Sequence, residues 1–333
     1  MASLSDWKVP PNLQPGPADY AFDLETAMSA VVGLRATVPE DAFTAQVLGT
    51  ERAGNGVVIS DNGLVLTIGY LITEAETIWL TPSVGPPAAG HALAYDQETG
   101  FGLVQALARL PVPALQVGNS GKSRIGDPVI VAGAGGLQRS IAANIVAKQE
   151  FAGYWEYVLD EAIFTAPAHP NWGGTAMIGS SGQLLGIGSL KLEQGRDSRV
   201  EQRGGEDISG HLNMIVPIDL LKPIFEDLLR HGRPNRPPRP WLGFYAAEIE
   251  DRIVVIGLAE RGPAQRAGLR TGDIVQAVNG AEVHSLADTF RRVWAVGPAG
   301  VEIPIKVERE GRVSEHKIAS ADRSSFFKAP RLH

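Results

Sequence analysis

The chain has 333 residues, of which 38 are Gly, 23 are Pro and 44% are hydrophobic, and its 30 basic and 37 acidic residues give a net charge of −7. This charge argues against nucleic acid or an anionic membrane as a partner. Because the chain contains no Cys, disulfides, thiolate catalysis and thiolate metal sites are excluded. The length predicts about two domains, and the Gly and Pro content is typical of a turn-rich, mainly β protein.

The N-terminal residues Met1–Lys8 lack a basic stretch followed by an apolar run, and no apolar segment of ~18 residues occurs anywhere. The sequence therefore predicts a cytoplasmic protein, or a periplasmic one if a signal peptide has been removed. Residues 1–25 are rich in Pro and weakly patterned, so we expect an extended N-terminal arm.

Two series of short apolar runs follow the arm, with turn residues but no long amphipathic helix between them. This pattern predicts the antiparallel strands of a sandwich or barrel. Asp61-Asn62-Gly63 is a hairpin signal within the first series. The first series comprises Ala30–Val38, Gly56–Ile59, Leu64–Ile68, Thr77–Leu80, Ala92–Ala94 and Leu103–Leu107. The second comprises Pro128–Ala132, Ala142–Lys148, Ala162–Thr165, Thr175–Ile178, Gln183–Ile187 and Asn213–Val216.

Helical periodicity first occurs between Leu220 and Leu229, and the helix is predicted to end near His231-Gly232. Residues 232–240 form a Pro-rich, basic segment, which predicts a stiff linker. The sequence thus divides into the arm, a β domain over 26–231, the linker, a second domain over 241–320 and a tail over 321–333.

The stretch from Ala168 to Ile187 resembles the active-site segment of the HtrA (Deg) family of trypsin-like proteases. It contains His169-Pro170-Asn171-Trp172-Gly173-Gly174-Thr175-Ala176, where the family reads Asn-Pro-Gly-Asn-Ser-Gly-Gly-Pro. The Gly-Gly pair predicts a tight turn that approaches another part of the chain closely. Further family landmarks occur in order, at Gly54–Ile59, Gly63–Thr67, Asn119–Asp127 and Met214–Asp219. The resemblance implies two antiparallel barrels with a cleft between them.

The positions that match the family's catalytic triad carry other residues. Tyr70 stands where the family has the general base His, Gly100 where it has the orienting Asp, and Gly173 where it has the nucleophilic Ser. A phenol with an ordinary pKa of ~10 is a poor base at neutral pH. Loss of the whole triad costs ~10⁶ in rate, so the sequence predicts no catalytic residues and no proteolysis by this mechanism.

A relocated catalytic set is the alternative that the residues leave open. It would combine Asp96 and His169 with a hydroxyl from Thr175 or Ser180. Against it, Asp96 is expected to be a turn carboxylate, Ser180-Ser181 a hairpin tip and His169 a packing residue. Trp172 is expected to fill the cleft, and Tyr70 to pack rather than react.

Residues 241–320 resemble a PDZ domain of the HtrA type. Trp241-Leu242-Gly243-Phe244 matches the family's carboxylate-binding loop, and Gly262–Val275 matches its Pro-Ala…Gly-Leu…Gly-Asp motif. A helix over Ser285–Val296 and strands over Val301–Val307 and Val313–Ile318 complete the pattern. The resemblance implies peptide binding by these four residues, in which the loop amides hold a terminal carboxylate and Leu242 and Phe244 line the pocket for the last side chain.

The fold class predicted is mainly β, a trypsin-like double barrel followed by a PDZ domain. The predicted function is an HtrA-like pseudoprotease that binds peptides or protein C-termini as a scaffold or regulator. The alternatives are a hydrolase with a relocated nucleophile and a purely structural oligomer. The resemblance implies the oligomer, because the family commonly forms trimers through N-terminal segments, and Tyr20 and Phe22 are candidates for such contacts. The scattered His residues predict no metal site, and no cofactor is expected.

Overall fold

The computed structural model describes residues 7–193 and 210–328. The chain divides into two compact units, the first of residues 1–149, 161–234 and 328–333 and the second of residues 150–160 and 235–327. The ends of the predicted arm and tail, residues 1–6 and 329–333, lie outside the described residues.

Two closed six-stranded barrels form the first unit, and both repeat the same strand order, with the first three strands followed by the sixth, fifth and fourth. All their pairings are antiparallel, as predicted. The first barrel contains β1 (Val31–Thr37), β2 (Glu51–Ser60), β3 (Leu64–Ile68), β4 (Thr77–Thr81), β5 (Ala88–Tyr95) and β6 (Phe101–Ala106). The second contains β7 (Pro128–Ala132), β8 (Ser140–Gly153), β9 (Tyr157–Ala166), β10 (Ala176–Ile178), β11 (Leu184–Glu193) and β12 (His211–Pro217).

Alternating side chains explain why these strands close into barrels. In β4 the apolar Ile78 and Leu80 are buried, while the alternate residues Thr77, Trp79 and Thr81 are exposed, which is the pattern of a strand with one face inward. The core of the second barrel is likewise built from every second residue of β7 and β8, including Val129, Val131 and Ile141. The predicted hairpin turn at Asp61-Asn62-Gly63 joins β2 to β3.

The N-terminal segment is less extended than the sequence predicted. Val9 is buried in the core of the second barrel, and its amide donates to the Gln138 carbonyl at 2.8 Å. Short 3-10 turns follow at Pro11–Leu13 and Pro17–Asp19. The fixed φ of Pro favours such turns, so the Pro-rich composition produces a folded path over the barrel rather than a straight one.

The described residues of the first unit include the α-helices α1 (Leu24–Ser29), α2 (Ala45–Leu48) and α3 (Phe225–His231). The helix predicted from Leu220 begins later, at Phe225, after a 3-10 turn over Ile218–Leu220. It ends where predicted, because Gly232 takes a positive φ of 70° that terminates the helix.

The second unit has the sheet and helices of a PDZ domain. Its strands are β13 (Phe244–Ile249), β14 (Arg252–Leu258), β15 (Ile274–Val278), β16 (Ala281–Glu282), β17 (Glu302–Arg309) and β18 (Arg312–Ala319), and its helices are α4 (Pro263–Arg266) and α5 (Leu286–Ala295). Ser285 caps α5 by accepting the Asp288 amide at 3.0 Å, and α5 buries Phe290 and Val293 in the core. In the sheet order β13-β14-β15-β17-β18, β13 lies at one end.

The outer part of the β8–β9 hairpin was not predicted to belong to this unit. Residues 150–160 group with residues 235–327 rather than with the barrels. Val158 is buried in the same apolar cluster as Phe244 and Phe290. The second unit is therefore built from two separate parts of the chain.

Candidate functional site

The structure brings the positions matched to the family's base and nucleophile face to face. A Cβ atom built on Gly173 would lie 2.7 Å from the Tyr70 hydroxyl oxygen. Contacts of a Cβ below about 3 Å require neighbouring atoms to move, so the phenol occupies the space that a nucleophilic side chain at position 173 would need. The cleft holds neither a hydroxyl nucleophile nor an imidazole at these two positions.

Tyr70 is held as a neutral phenol. Its hydroxyl donates to the Ser189 carbonyl at 2.9 Å, and burial raises its pKa further above the usual value for a phenol, an effect that the hydrogen bond from the Trp172 side chain only partly offsets. Buried Arg52 fixes the backbone at this position by donating to the carbonyls of Tyr70 at 2.8 Å and Thr73 at 2.9 Å. The phenol therefore stays protonated at neutral pH and is not a general base.

Gly100 adjoins the same segment through the backbone. Its carbonyl accepts the Gly69 amide at 2.7 Å, and its own amide donates to the Asp96 carbonyl at 2.8 Å. The Asp96 carboxylate accepts both the amide and the hydroxyl of Thr99, at 2.9 and 2.7 Å. Asp96 thus closes a turn, as the sequence favoured, and its carboxylate is bonded within that turn, while Gly100 has no side chain to orient a base.

The loop that carries Gly173 is fixed by Asn55, a residue that the sequence analysis included only within the family landmark Gly54–Ile59. The Asn55 side-chain amide donates to the carbonyls of Asn171 and Gly173, both at 3.0 Å, and its backbone amide donates to Gly173 at 2.8 Å. At Gly174, where φ is 76°, a Cβ atom would lie 1.8 Å from the Asn55 carbonyl oxygen. The predicted tight turn and close approach are therefore present at Gly174.

The residues of the relocated catalytic set are engaged elsewhere. His169 is 1% exposed, and its Nε2 lies 2.8 Å from the Arg139 carbonyl while its Nδ1 accepts the Asn171 amide at 3.2 Å. Burial lowers the pKa of this imidazole. The Thr175 hydroxyl donates to the Trp172 carbonyl at 2.9 Å, and Ser180 lies in the turn between β10 and β11. Neither hydroxyl contacts His169 or Asp96, so the structure does not assemble the alternative set.

The cleft between the two barrels is open and basic. It has a volume of about 760 Å³, and its lining includes the aromatic Trp7, Trp172 and Tyr70. The residues that line the cleft also include Lys8, Arg35 and Arg139, and none of the described lining residues is Asp or Glu. Within residues 7–193 and 210–328, no group of three or more His, Asp or Glu side chains is arranged to hold a metal ion.

A second site lies in the second unit, at the loop of Trp241, Leu242, Gly243 and Phe244. The carbonyls of Leu242 and Gly243 accept the amides of Ala264 and Ala259, at 2.7 and 2.8 Å. The amides of the same two residues point to a carboxylate, that of Glu156 in the tip of the β8–β9 hairpin. The Leu242 amide donates to it at 3.1 Å and the Gly243 amide at 2.7 Å.

Gly243 and its neighbours shape this loop. Gly243 has a φ of 75°, and a Cβ atom there would lie 2.9 Å from the Trp241 ring, so the turn requires Gly. Trp241 is anchored by paired backbone hydrogen bonds with Ala321, at 2.9 and 3.0 Å. Leu242 and Phe244 are buried in the apolar cluster that also contains Val158.

Glu156 is the residue of this candidate site that the sequence analysis missed. It is 4% exposed, and burial raises its pKa to about 7, although the backbone amides and nearby Arg323 favour its charged form. One signal was available in the sequence, since Phe151, Tyr154, Trp155 and Tyr157 cluster in a connection between two strands. Such an aromatic cluster is unusual for a solvent-exposed turn.

Two family models match the chain along its length. Residues 54–187 match the trypsin-like peptidase domain, and residues 240–319 match the PDZ domain. The chain is 26% identical over 312 residues to serine endoprotease DegS of Salmonella typhimurium, covering 89% of this chain and 84% of that protein. These findings show that the chain belongs to the HtrA family, in which a trypsin-like domain precedes a PDZ domain.

A further relative and a solved structure are also similar to this chain. A probable periplasmic serine endoprotease DegP-like from Chlamydia trachomatis serovar D is 25% identical over 276 residues, which cover 79% of this chain but only 52% of that relative, so the chain spans about half its length. The solved structure of the HtrA-type protease AlgW with a tripeptide has the same fold, with a TM-score of 0.51 and 21% identity over 92% of this chain and 97% of that one. The predicted double barrel followed by a PDZ domain is confirmed.

The contact between Gly173 and Tyr70 generates a stability prediction. We expect Gly173→Ala to lower the free energy of unfolding by about 1–3 kcal/mol, because the new Cβ overlaps the Tyr70 hydroxyl. In a Tyr70→Phe background the same change should cost much less, since the overlapping oxygen is gone. Urea unfolding of the four proteins in this double-mutant cycle measures the coupling.

Gly33→Ala is the matched control, because Gly33 lines the same cleft and its new Cβ would meet no atom closer than 3.6 Å. It should change stability little, with or without Tyr70→Phe. If Gly173→Ala costs the same in the unmodified protein and in the Tyr70→Phe variant, the predicted overlap is contradicted.

Proposed function

We propose that this chain is a peptide-binding member of the HtrA family that does not cleave peptides by the serine-protease mechanism. The reaction needs an oxygen nucleophile, a base that accepts its proton and a group that orients the base. Gly173 supplies no side-chain atom, Tyr70 is a protonated phenol bonded to Ser189, and Gly100 supplies no carboxylate. The relatives named as serine endoproteases establish the family, and this chain's own residues support the loss of the reaction.

The observation that carries the binding function is the convergence of the Leu242 and Gly243 amides on a carboxylate. A loop that holds the side-chain carboxylate of Glu156 has the donors needed for a peptide's terminal carboxylate, which has the same chemistry. AlgW, which shares the fold of this chain, has been solved with a tripeptide and with a decapeptide. We therefore assign residues 241–244 to peptide binding, with protein C-termini as the ligand class.

The proposal includes a location. The DegP-like relatives are named periplasmic, which favours the periplasmic alternative over the cytoplasmic prediction. Among residues 7–193 and 210–328, the structure has no helix with the length and apolar character of a membrane span.

The purified protein should release no product above the blank from unfolded casein. Tyr70→His, Gly100→Asp and Gly173→Ser made together should restore at most a trace, because triad members act as a unit and Gly100 has a φ of 85° that strains Asp. Each single change should leave the rate at the blank. Steady turnover by the unmodified protein that is lost in His169→Ala or Thr175→Ala would overturn the proposal in favour of a relocated nucleophile.

Peptides with a free C-terminal carboxylate and an apolar last residue should bind with micromolar affinity, on the order of −8 kcal/mol. The amidated twin of each peptide should bind more weakly by about 1.5–3 kcal/mol, since amidation removes the charge that the loop amides hold. Titration of the full chain against a fluorescent peptide library with randomised C-termini measures both. Equal binding of the free and amidated forms would exclude terminal-carboxylate recognition at this loop.

The N-terminal aromatics support a homo-oligomer. Tyr20 and Phe22 contact each other with ring centres 5.5 Å apart, Phe22 packs on Gly182, and both side chains stay partly exposed. Replacing both by Ala should reduce the mass measured by light scattering, because aromatic surface contributes strongly to interfaces. Exposed Leu107→Ala is the control and should leave the mass unchanged. A wild-type mass equal to that of one chain would contradict the proposal.

A further inference from the structure

We propose that the tip of the β8–β9 hairpin, residues 154–158, is an internal ligand of the PDZ groove, and that an external C-terminal peptide binds by displacing it. This inference rests on the proposed function of residues 241–244 as a peptide-binding loop. Four contacts within the second unit support it, and each reproduces one requirement of peptide recognition.

The first contact is the carboxylate. Glu156 accepts hydrogen bonds from the Leu242 amide at 3.1 Å and the Gly243 amide at 2.7 Å, with a further contribution from the Phe244 amide. A peptide's terminal carboxylate would need the same donors. Because the donors are few and the site is buried, the two carboxylates exclude each other.

The second contact is at the edge of the sheet. β13 is at the end of the sheet order, and the Ala246 amide on this strand donates to the Tyr154 carbonyl at 3.0 Å. Peptides bind PDZ domains by adding a strand along such an edge. The Tyr154 ring also meets Tyr245 of β13 edge-on, with ring centres 6.0 Å apart. The hairpin tip thus takes up a backbone donor that an added strand would use.

The third contact is apolar. Val158 is 8% exposed and belongs to the cluster that contains Leu242, Phe244, Phe290 and Val293. The first two of these residues flank Gly243, and the last two lie on α5. Val158 therefore supplies the apolar side chain that the last residue of a peptide would otherwise bring to the groove.

The fourth contact connects both hairpin strands to α5. Arg291 on α5 pairs with Glu150 of β8 and with Asp160 of β9. Since Arg291 is 42% exposed and Asp160 92% exposed, solvent weakens these pairs. They hold the tip over the groove without locking it there.

The backbone of Glu156 adds an independent indication. Its φ is 59°, in the left-handed region that non-Gly residues rarely adopt. Such a conformation persists where the surrounding contacts impose it. Glu156 lies in the turn between β8 and β9, so the hairpin turn and the bonded carboxylate together hold this conformation.

The test uses the full chain and one probe, the tightest-binding free-carboxylate peptide from the library. Glu156→Ala should bind this peptide at least about tenfold more tightly than the wild type, because the hairpin tip no longer occupies the groove in most molecules. Near neutral pH Glu156→Gln should bind the peptide no more tightly than the wild type, since its amide oxygen still accepts a hydrogen bond and it has no charge to bury. Arg291→Ala should also tighten binding.

The matched control is Glu302→Gln, which changes an exposed carboxylate of the same unit that pairs only loosely with Lys317 at 3.6 Å. The affinity of this control variant for the peptide should equal that of the wild type. If Glu156→Ala and the wild type bind the peptide equally, the internal-ligand proposal is wrong while the peptide-binding function stands. If no variant binds any library peptide, the peptide-binding function itself fails.

A measurement on the unmodified protein guards against a variant that misfolds. In hydrogen exchange, saturating peptide should speed exchange of the amides at 154–158 and slow that of the amides at 244–249. Slowed exchange in both segments would show that the tip stays in place beside the peptide, and would overturn the proposal.

The displacement should also depend on pH in one direction. Burial raises the pKa of Glu156 from its ordinary 4.5 to about 7 in the groove. Between these two pH values Glu156 therefore takes up a proton when the hairpin tip binds the groove, and binding of the tip weakens as the pH rises. The other ionisable groups that face it are Arg323 and Tyr245, and burial raises the pKa of Tyr245 above its usual 10. Peptide affinity should therefore increase by up to about twentyfold from about pH 5.5 to about pH 7.5. Glu156→Gln should show no such increase, and an equal increase in that variant would refute the role of Glu156.

Discussion

Backbone amides that converge on one point need an acceptor, and in the second unit this need is met by Glu156. In the loop from Trp241 to Phe244, the carbonyls of Leu242 and Gly243 accept the amides of Ala264 and Ala259, while the amides of the same two residues point to Glu156. Buried amides without an acceptor would cost about 1–3 kcal/mol each. The hairpin tip, the edge of β13 and the apolar cluster around Val158 are all arranged around this one contact.

The barrel cleft meets its polar requirements in the opposite way, through groups that belong to the cleft itself. Asn55 bonds the loop at Asn171 and Gly173, His169 is bonded at both nitrogens, and the Tyr70 hydroxyl is bonded to Ser189. Nothing in this set is left to activate a nucleophile. The two sites therefore differ in how their polar groups are bonded. The polar groups of the cleft named above bond to one another or to nearby backbone, whereas the amides of the PDZ loop need an acceptor from another segment of the chain.

The sequence predicted the fold well because the fold depends on local signals. The short apolar runs, the turn at Asp61-Asn62-Gly63, the helix over Ser285–Val296 and the helix end near Gly232 depend on signals within a few residues, and each occurs in the structure close to where it was expected. The contact of Glu156 with Gly243 joins residues 87 positions apart, and no periodicity or motif encodes it. The packing of Val9 against the second barrel was missed for the same reason, because an isolated apolar residue among prolines has no pattern.

The raised pKa of Glu156 shows how an internal carboxylate can occupy this loop and still yield it to a ligand. A pKa raised from 4.5 to about 7 means that the amides and Arg323 do not fully compensate the burial of its charge. A terminal carboxylate reaches the loop without the left-handed backbone that Glu156 must adopt. The loop therefore favours a chain terminus over an internal Glu, provided that the peptide also replaces the contacts of Tyr154 and Val158.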